Sequence, residues 1–397
     1  MSDGCVTQTR SKLGVTPNEP LRVLHCLPWI AGGGVERRRL MLARFLDRSR
    51  YQQRILVRSC KGTLVERLRA EGVEVIELGE GRLFEPRLMA RAVRIAREYR
   101  PHIVHGAVFE GVAMALVAGR ACGARVVAEE TSHATNRSRA GHALFRGMVA
   151  LSDACVAISP AVGDYLVDVT RVPRKRVTVI TNGVFAPIVP DTDRVELRQS
   201  LGLSADAFVV GTVCRLVDDS HKRVSDLIRA TALLRDLPGF RLLVVGSGRE
   251  REGLEELARS LGVSDQVHFA GYRDDVGTMY KTMVVFALVS SREGFGQVVA
   301  EAMLANLPVI ATGVGGIRDI VEDGRTGILV PACQPEVLAQ IIRRLHASPE
   351  ERLALAAAGA KRARDNFSAE RYTRDVDAFY GRLMGKTSPL QPFAAVT

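Results

Sequence analysis

Two periodicities take turns along the chain. Short β-branched apolar runs recur in the first half at Leu21–Leu27, Ile55–Val57, Val73–Leu78, Ile103–His105, Val126–Ala128, Cys155–Ile158 and Val177–Ile180. The second half has Phe208–Val213, Leu242–Val245, Val267–Ala270, Val284–Val289, Val309–Ala311 and Gly327–Val330. Between them, apolar residues fall at helical spacing among Arg and Glu, as in Val35–Leu46, Arg87–Tyr99, Leu227–Leu234 and Glu250–Leu261. Strand and helix in alternation predict parallel sheets covered by helices on both faces. The rhythm breaks at Pro187, Pro190, Asp191 and Asp193, and a new strand starts at Phe208. The pattern predicts an α/β chain of two doubly wound, Rossmann-like domains facing across a cleft. The expected units are a flexible segment at 1–20, a first domain at 21–187, a linker at 188–204 and a second domain at 205–365. Terminal helices at 366–385 are expected to pack back toward the first domain, ahead of a mobile tail at 386–397. Ligands of such sheets bind beyond the carboxyl ends of the strands, which puts the expected site in the cleft.

Composition changes this picture little. The 397 residues, 47% apolar and 25% charged, fit a soluble globular protein of two domains. Seven dispersed cysteines without a C-x-x-C pair argue against a disulfide framework and a zinc site, and for a reducing compartment. The first twenty residues lack an apolar signal-peptide core, and no apolar run approaches the ~20 residues that span a bilayer. A cytoplasmic location is therefore expected. The net charge of +11 would attract anionic lipid or phosphorylated substrates, or reflect a solvated Arg-rich surface. Nucleic acid is not expected: aromatic residues make up only 5%, and no zinc-finger spacing occurs.

Chemistry concentrates in four places. In VVFALVSSREGFGQVVAEAM, a buried strand runs into Glu293-Gly294-Phe295-Gly296-Gln297 and then a helix carrying Glu301. A glycine-rich turn opening a helix presents backbone N–H groups and the positive helix end to an anion. Carboxylates beside it can accept hydrogen bonds from vicinal hydroxyls. In FVVGTVCRLVDDSHKRVSDL, a strand ends at Arg215 and a polar loop leads to Lys222-Arg223 at a helix entrance. Together they supply a planar fork and a point charge for phosphate. In LRVLHCLPWIAGGGVERR, Gly32-Gly33-Gly34 lets backbone approach a ligand but lacks the G-x-G-x-x-G dinucleotide spacing. In AEETSHATNRSR, His133 follows a strand end and points into the cleft, while Arg137 and Arg139 either meet an acidic acceptor or are solvated.

The block from Glu293 through PVIAT to Gly315-Gly316 resembles the E-x7-E signature of the retaining glycosyltransferases of family 4, which have the GT-B fold. The resemblance runs from about Leu21 to Tyr380 and is strongest over 212–321. It implies that Glu293 faces the transferred sugar and Glu301 holds the ribose hydroxyls. The turn amides of Phe295, Gly296 and Gln297 would contact sugar and diphosphate. Arg215 and Lys222 would neutralise the leaving diphosphate; the loop is one residue longer than the common form, which leaves Lys222 and Arg223 both open. Gly33 and Gly34 of the GG-x-E-R loop would close over the diphosphate from the first, acceptor-binding domain. His133 would lie near the reacting sugar. Gly246, Tyr272 and Arg273 would flank the nucleotide, and Asn182 would fix the hinge. The family usually has Pro-Glu where this chain has Arg318-Asp319, so no role follows for Asp319.

The activity implied is retaining, metal-independent transfer of a hexosyl or N-acetylhexosaminyl group from a UDP- or GDP-sugar, with no cofactor. The acceptor would be a glycan, a lipid-linked sugar or a small molecule. Arg87, Arg91 and Arg94, interleaved with Leu88, Val93 and Ile95, would suit peripheral contact with an anionic membrane or a solvated helix face. The rivals are a nucleotide-sugar epimerase or phosphorylase of the same fold, a glycosidase using Glu293 and Glu301, and a catalytically silent basic scaffold binding anionic lipid. No Schiff-base lysine for pyridoxal phosphate stands out, and a glycosidase leaves Arg215 and Lys222 unexplained.

Overall fold

The apolar runs become the strands of two parallel sheets. The computed structural model describes residues 19–30, 33–79, 81, 85–131 and 137–385. Strands of the first sheet are β1 (Leu21–Ile30), β2 (Tyr51–Cys60), β3 (Glu74–Glu77), β4 (Ile103–Ala107), β5 (Arg125–Glu130), β6 (Ala154–Ala157) and β7 (Val177–Val179). Those of the second are β8 (Phe208–Val213), β9 (Phe240–Val245), β10 (Val267–Gly271), β11 (Val285–Leu288), β12 (Val309–Thr312) and β13 (Ile328–Val330). The first domain carries α1 (Gly34–Phe45), α2 (Thr63–Ala70), α3 (Pro86–Tyr99), α4 (Val108–Cys122), α5 (Arg139–Ala150) and α6 (Pro160–Asp168). Then follow α7 (Arg194–Ser200), α8 (Asp219–Lys222), α9 (Val224–Ala232), α10 (Arg251–Ser260), α11 (Val276–Thr282), α12 (Gln297–Leu304) and α13 (Ile317–Ile320). The chain closes with α14 (Pro335–Ala347), α15 (Pro349–Phe367) and α16 (Ala369–Leu383).

The sheets share one winding. Their orders are β3-β2-β1-β4-β5-β6-β7 and β10-β9-β8-β11-β12-β13. In each the chain reverses its direction of travel beside the first strand, between β1 and β4 and between β8 and β11. That is the switch point where doubly wound sheets open a crevice. The loop after β1 holds Gly33 and runs into α1 at Gly34, the loop after β8 holds Arg215, and the turn after β11 holds Glu293. An apolar cluster includes Phe145 and Val162 of the first domain with Phe286 and Phe295 of the second.

The C-terminal helices straddle both domains. α15 packs on α12, whereas α16 lays Tyr372, Val376, Phe379 and Tyr380 against Val23, Met41 and Ile103 of the first domain. Val184 N–H donates to Phe367 C=O at 2.8 Å, beside the crossing point. The segment expected as a plain linker contains α7, which Asp193 caps by accepting from Val195 N–H at 2.6 Å. Arg198 then ties α7 to the second domain by donating to Thr282 C=O at 3.0 Å. The expected mobile tail at 386–397 and residues 1–18 of the flexible segment lie outside the described residues.

A buried ionic knot anchors α1. Glu129, at the end of β5, pairs with Arg38 at 2.5 Å, Arg39 at 2.6 Å and His105 at 3.0 Å. Burial pushes the Glu129 carboxyl up, but Arg38 and Arg39 override it and hold it well below the usual range. His105 shares a 2.7 Å hydrogen bond with the Tyr380 hydroxyl of α16. Burial, followed by Arg39, lowers His105 to about 4, and burial lowers the neighbouring His25 as well. His105, placed beside the cleft by its strand, is thus a packing residue of the first domain.

Candidate active site

Strand β11 leads into Val289-Ser290, and the backbone turns through 293–296 before α12 begins. The turn is built against Gly315 and Gly316. Gly315 has φ +48°, and a Cβ there would sit 1.8 Å from Glu293 C=O. Gly316 N–H donates to the same carbonyl at 3.2 Å. A side chain at 315 would push the Glu293 turn outward, so the double glycine is explained by packing. Phe295 is buried, with its ring edge-on to Phe367 at 5.7 Å. Only its backbone is left for a ligand.

The second wall is the loop after β8. Its α8 turn is strapped to the Glu293 turn: Ser291 N–H donates to His221 C=O at 2.8 Å and Ser291 Oγ to Ser220 C=O at 2.7 Å. The strap sets Lys222 Nζ directly on Glu293 Oε1, which also accepts from Ser290 Oγ at 3.0 Å. Arg223 turns away and forms a double hydrogen bond with Asp226, at 2.7 and 2.8 Å. Geometry thus separates the two cations that the longer loop left open. Arg215 is exposed and forms no ion pair among the described residues. Its neighbour Cys214 lies close enough to feel Lys222 and Glu293, although burial dominates and pushes its thiol up to about 11. Gly246, with φ +141°, passes so close beneath Cys214 C=O that a Cβ would be 1.8 Å away, and it supports this loop.

Glu301 lies one turn into α12 and is buried. Its Oε2 accepts from the Tyr280 hydroxyl of α11 at 3.2 Å. Its Oε1 accepts from Arg37 Nη1, on α1 of the other domain, also at 3.2 Å. Burial raises the Glu301 carboxyl, and Arg37 and Tyr280 oppose that rise. The first domain touches the turn at two more points. A Cβ on Gly34 would lie 2.6 Å from Gln297 Oε1. Ser159, the buried cap of α6, donates from Oγ to Gly294 C=O at 3.0 Å.

Tyr272 and Arg273, at the end of β10, are largely occupied locally. The Tyr272 hydroxyl donates to Asp274 at 2.6 Å, and Arg273 grips Asp275 with two 2.7 Å bonds. The Tyr272 ring stays 68% exposed and lies near enough to feel Arg37. His133 lies outside the described residues. Arg137 is neither solvated nor open to an acceptor: it pairs with Glu130 at 2.8 Å and stacks over Phe145 and Phe109. Leu88 and Ile95 of α3 are buried in the core, so its exposed face is basic without being amphipathic. Among the described residues, no helix is long and apolar enough to cross a membrane.

Arg37, Tyr280, Ser159 and Ser290 were not singled out by sequence. Arg37 does stand in the GG-x-E-R run, so a signal existed. Tyr280 and Ser159 become site neighbours only through tertiary contacts.

Comparison with known proteins bears on the family and the fold. Residues 193–362 match the model for "Glycosyl transferases group 1", and residues 32–185 match that for "Glycosyltransferase Family 4". The chain is 36% identical over 247 residues to a D-inositol 3-phosphate glycosyltransferase of Actinosynnema mirum, covering 59% of this chain and 58% of the relative. It is 32% identical over 235 residues to the lipopolysaccharide core biosynthesis glycosyltransferase LpsE of Rhizobium meliloti, covering 59% and 65%. The matches thus span less than two thirds of these curated relatives. The fold is shared with Anabaena HepE in complex with UDP, at TM-score 0.80, 23% identity and coverage of 91% and 100%. A glycosyltransferase of Rickettsia africae shares it at TM-score 0.82, 20% identity and coverage of 93% and 100%.

Proposed function

Because the chain belongs to the group 1 glycosyl transferases, with a Family 4 N-terminal half, we propose that it moves a sugar from a nucleotide-diphosphate-sugar to an acceptor hydroxyl. The observation that carries this reading is the pairing of the Glu293 turn with Lys222 beside the buried Glu301. A donor has a diphosphate for the cations and vicinal hydroxyls for the carboxylates. Arg215 and Lys222 stabilise the charge that builds on the leaving phosphate oxygen, the kind of interaction that contributes most to such a barrier. Glu293 accepts hydrogen bonds from the transferred sugar, and Glu301 accepts them from the ribose. Gly33 and Gly34 close on the diphosphate, and His133 stands by the sugar. Gly246, Tyr272 and Arg273 border the base.

The reaction retains anomeric configuration. The bond from anomeric carbon to phosphate oxygen breaks, the acceptor oxygen bonds on the same face, and its proton passes to the departing phosphate oxygen. No protein nucleophile is assigned. The two cations supply the positive charge, so no metal is required. UDP is favoured as the nucleotide by likeness to Anabaena HepE, whose structure contains it, and GDP is the alternative. A phosphorylated polyol, as in the name of the Actinosynnema mirum relative, is the first acceptor to try. The protein is expected in the cytoplasm, with the Arg-rich face of α3 against anionic membrane.

The test is turnover of UDP- and GDP-sugars against acceptor pools, with products read by mass spectrometry, EDTA added in parallel and anomeric coupling measured. Glu293→Gln and Lys222→Ala should each lower kcat by about a hundredfold or more. Wild-type protein that consumes no donor with any acceptor would refute the assignment, an inverted product would refute retention, and loss of activity in EDTA would refute metal independence.

A further inference from the structure

Each carboxylate of the E-x7-E pair is capped by a cation: Glu293 by Lys222, and Glu301 by Arg37. Only the first cap comes from the same domain. We propose that Arg37 is a third cation for the donor diphosphate, delivered across the cleft and released from Glu301 when the ribose hydroxyls take that carboxylate. The inference rests on the donor reading above.

Four observations carry it. First, both oxygens of Glu301 are engaged, so an incoming diol competes with two partners for that carboxylate. Tyr280 is fully buried, whereas the Arg37 side chain is 44% exposed and is the one free to leave. Second, the local charges favour it. Arg215, Lys222 and Arg37 set against Glu293 and Glu301 leave one net positive charge; without Arg37 the site is neutral. Arg37 therefore supplies the one charge in excess toward a diphosphate of about two negative charges. Third, the geometry brings Arg37 within reach. α1 and α12 converge at their N-termini, where Gly34 abuts Gln297, the first residue of α12. Arg37 and Glu301 each lie about one turn, or ~5 Å, further along. An arginine swinging off Glu301 toward the helix starts enters the region where the Glu293 turn would meet the diphosphate. Fourth, the helix itself cannot slide away. The adjacent Arg38 and Arg39 are buried on Glu129, so the moving part is the Arg37 side chain alone.

In this arrangement donor binding exchanges partners. Hydroxyls replace cations on Glu293 and Glu301, and phosphate oxygens replace carboxylates on Lys222 and Arg37. Arginine suits the second exchange because its planar fork fits phosphate as well as carboxylate.

The test is calorimetric titration of wild type, Arg37→Gln, Arg37→Lys and Lys222→Ala with UDP, UMP, GDP and GMP. A contact to the second phosphate appears as a loss confined to the diphosphates. Arg37→Gln should weaken the better-bound diphosphate about tenfold while leaving its monophosphate within about threefold. Arg37→Lys should recover part of the loss. Two results overturn the inference alone, provided Lys222→Ala still weakens the diphosphate. One is Arg37→Gln binding the diphosphate as well as, or tighter than, wild type. The other is an equal loss for mono- and diphosphate. Wild type that binds neither UDP nor GDP overturns the donor reading and this inference together.

Discussion

Glu293 and Glu301 belong to one motif but sit in different electrostatic settings. Glu293 lies in the turn with Lys222 and Ser290 on one oxygen, while Glu301 is buried and shared between Arg37 and Tyr280. Burial raises Glu301, and Arg37 holds it partly down. Removing Arg37 must therefore let the carboxyl protonate at higher pH. The acid limb of kcat/KM, which reports the free enzyme, should move upward in Arg37→Gln and return toward wild type in Arg37→Lys. An unchanged limb would detach Glu301 from Arg37. His25 and His105 predict a second pH effect of opposite origin. Both are held neutral in the folded chain, and His105 falls to about 4 against an ordinary value of 6.5. The unfolded chain binds these protons first, so stability is complete above about pH 6.5 and declines as pH falls toward about 4. Thermal melts should drop across that window, and His105→Asn should flatten the decline.

Among the elements, the turn from β11 to α12 depends on a partner far along the chain. Gly315 leaves room for the Glu293 carbonyl and Gly316 for that of Gly294, and Gly315 also adopts φ +48°. Gly315→Ala should cost about 1–3 kcal/mol and lower kcat, because the carbonyl that must shift belongs to a site residue. A melting temperature and kcat both at wild-type level would contradict that packing account. Helix α3 presents the other element-scale question. Leu88 and Ile95 are committed to the core, while Arg87, Arg91, Arg94 and Arg97 lie on the exposed side. Such a face can attract anionic lipid at about 1 kcal/mol per residue near the surface but has no apolar stripe to insert. Binding to phosphatidylserine vesicles should vanish at about 0.5 M salt and weaken in Arg87→Glu/Arg94→Glu. Salt-resistant binding would point to insertion instead.

For the molecule as a whole, α16 is the member that ties the ends together. It leaves the second domain after α15, crosses beside Val184 and buries Tyr372, Val376, Phe379 and Tyr380 in the first domain. Its Tyr380 hydroxyl reaches His105, which reaches Glu129, which holds Arg38 and Arg39 on α1. The far end of the chain thus supports the helix that carries Arg37 across the cleft. Truncation after Phe367 should expose that apolar face and yield aggregated protein in size-exclusion chromatography. Tyr380→Phe, which removes one hydroxyl, should remain soluble and lose about 1–3 kcal/mol. A soluble, active truncation would show that α1 does not need this support.

The sequence by itself determined the alternation of strands and helices, because continuous apolar runs and helical apolar patterns are local and the central strands are buried on both faces. It also marked Arg215, Lys222, Glu293 and Glu301 as candidates, since glycine turns and charged residues at strand ends are written in consecutive positions. Tertiary structure alone decided which charges meet. Arg137 is consumed by Glu130. Arg37, in the GG-x-E-R run at the start of α1, comes to rest on Glu301. Those pairings join residues close in sequence and residues hundreds of positions apart, and no periodicity encodes them. They follow from how two sheets with the same winding face each other, and from how α15 and α16 close over both.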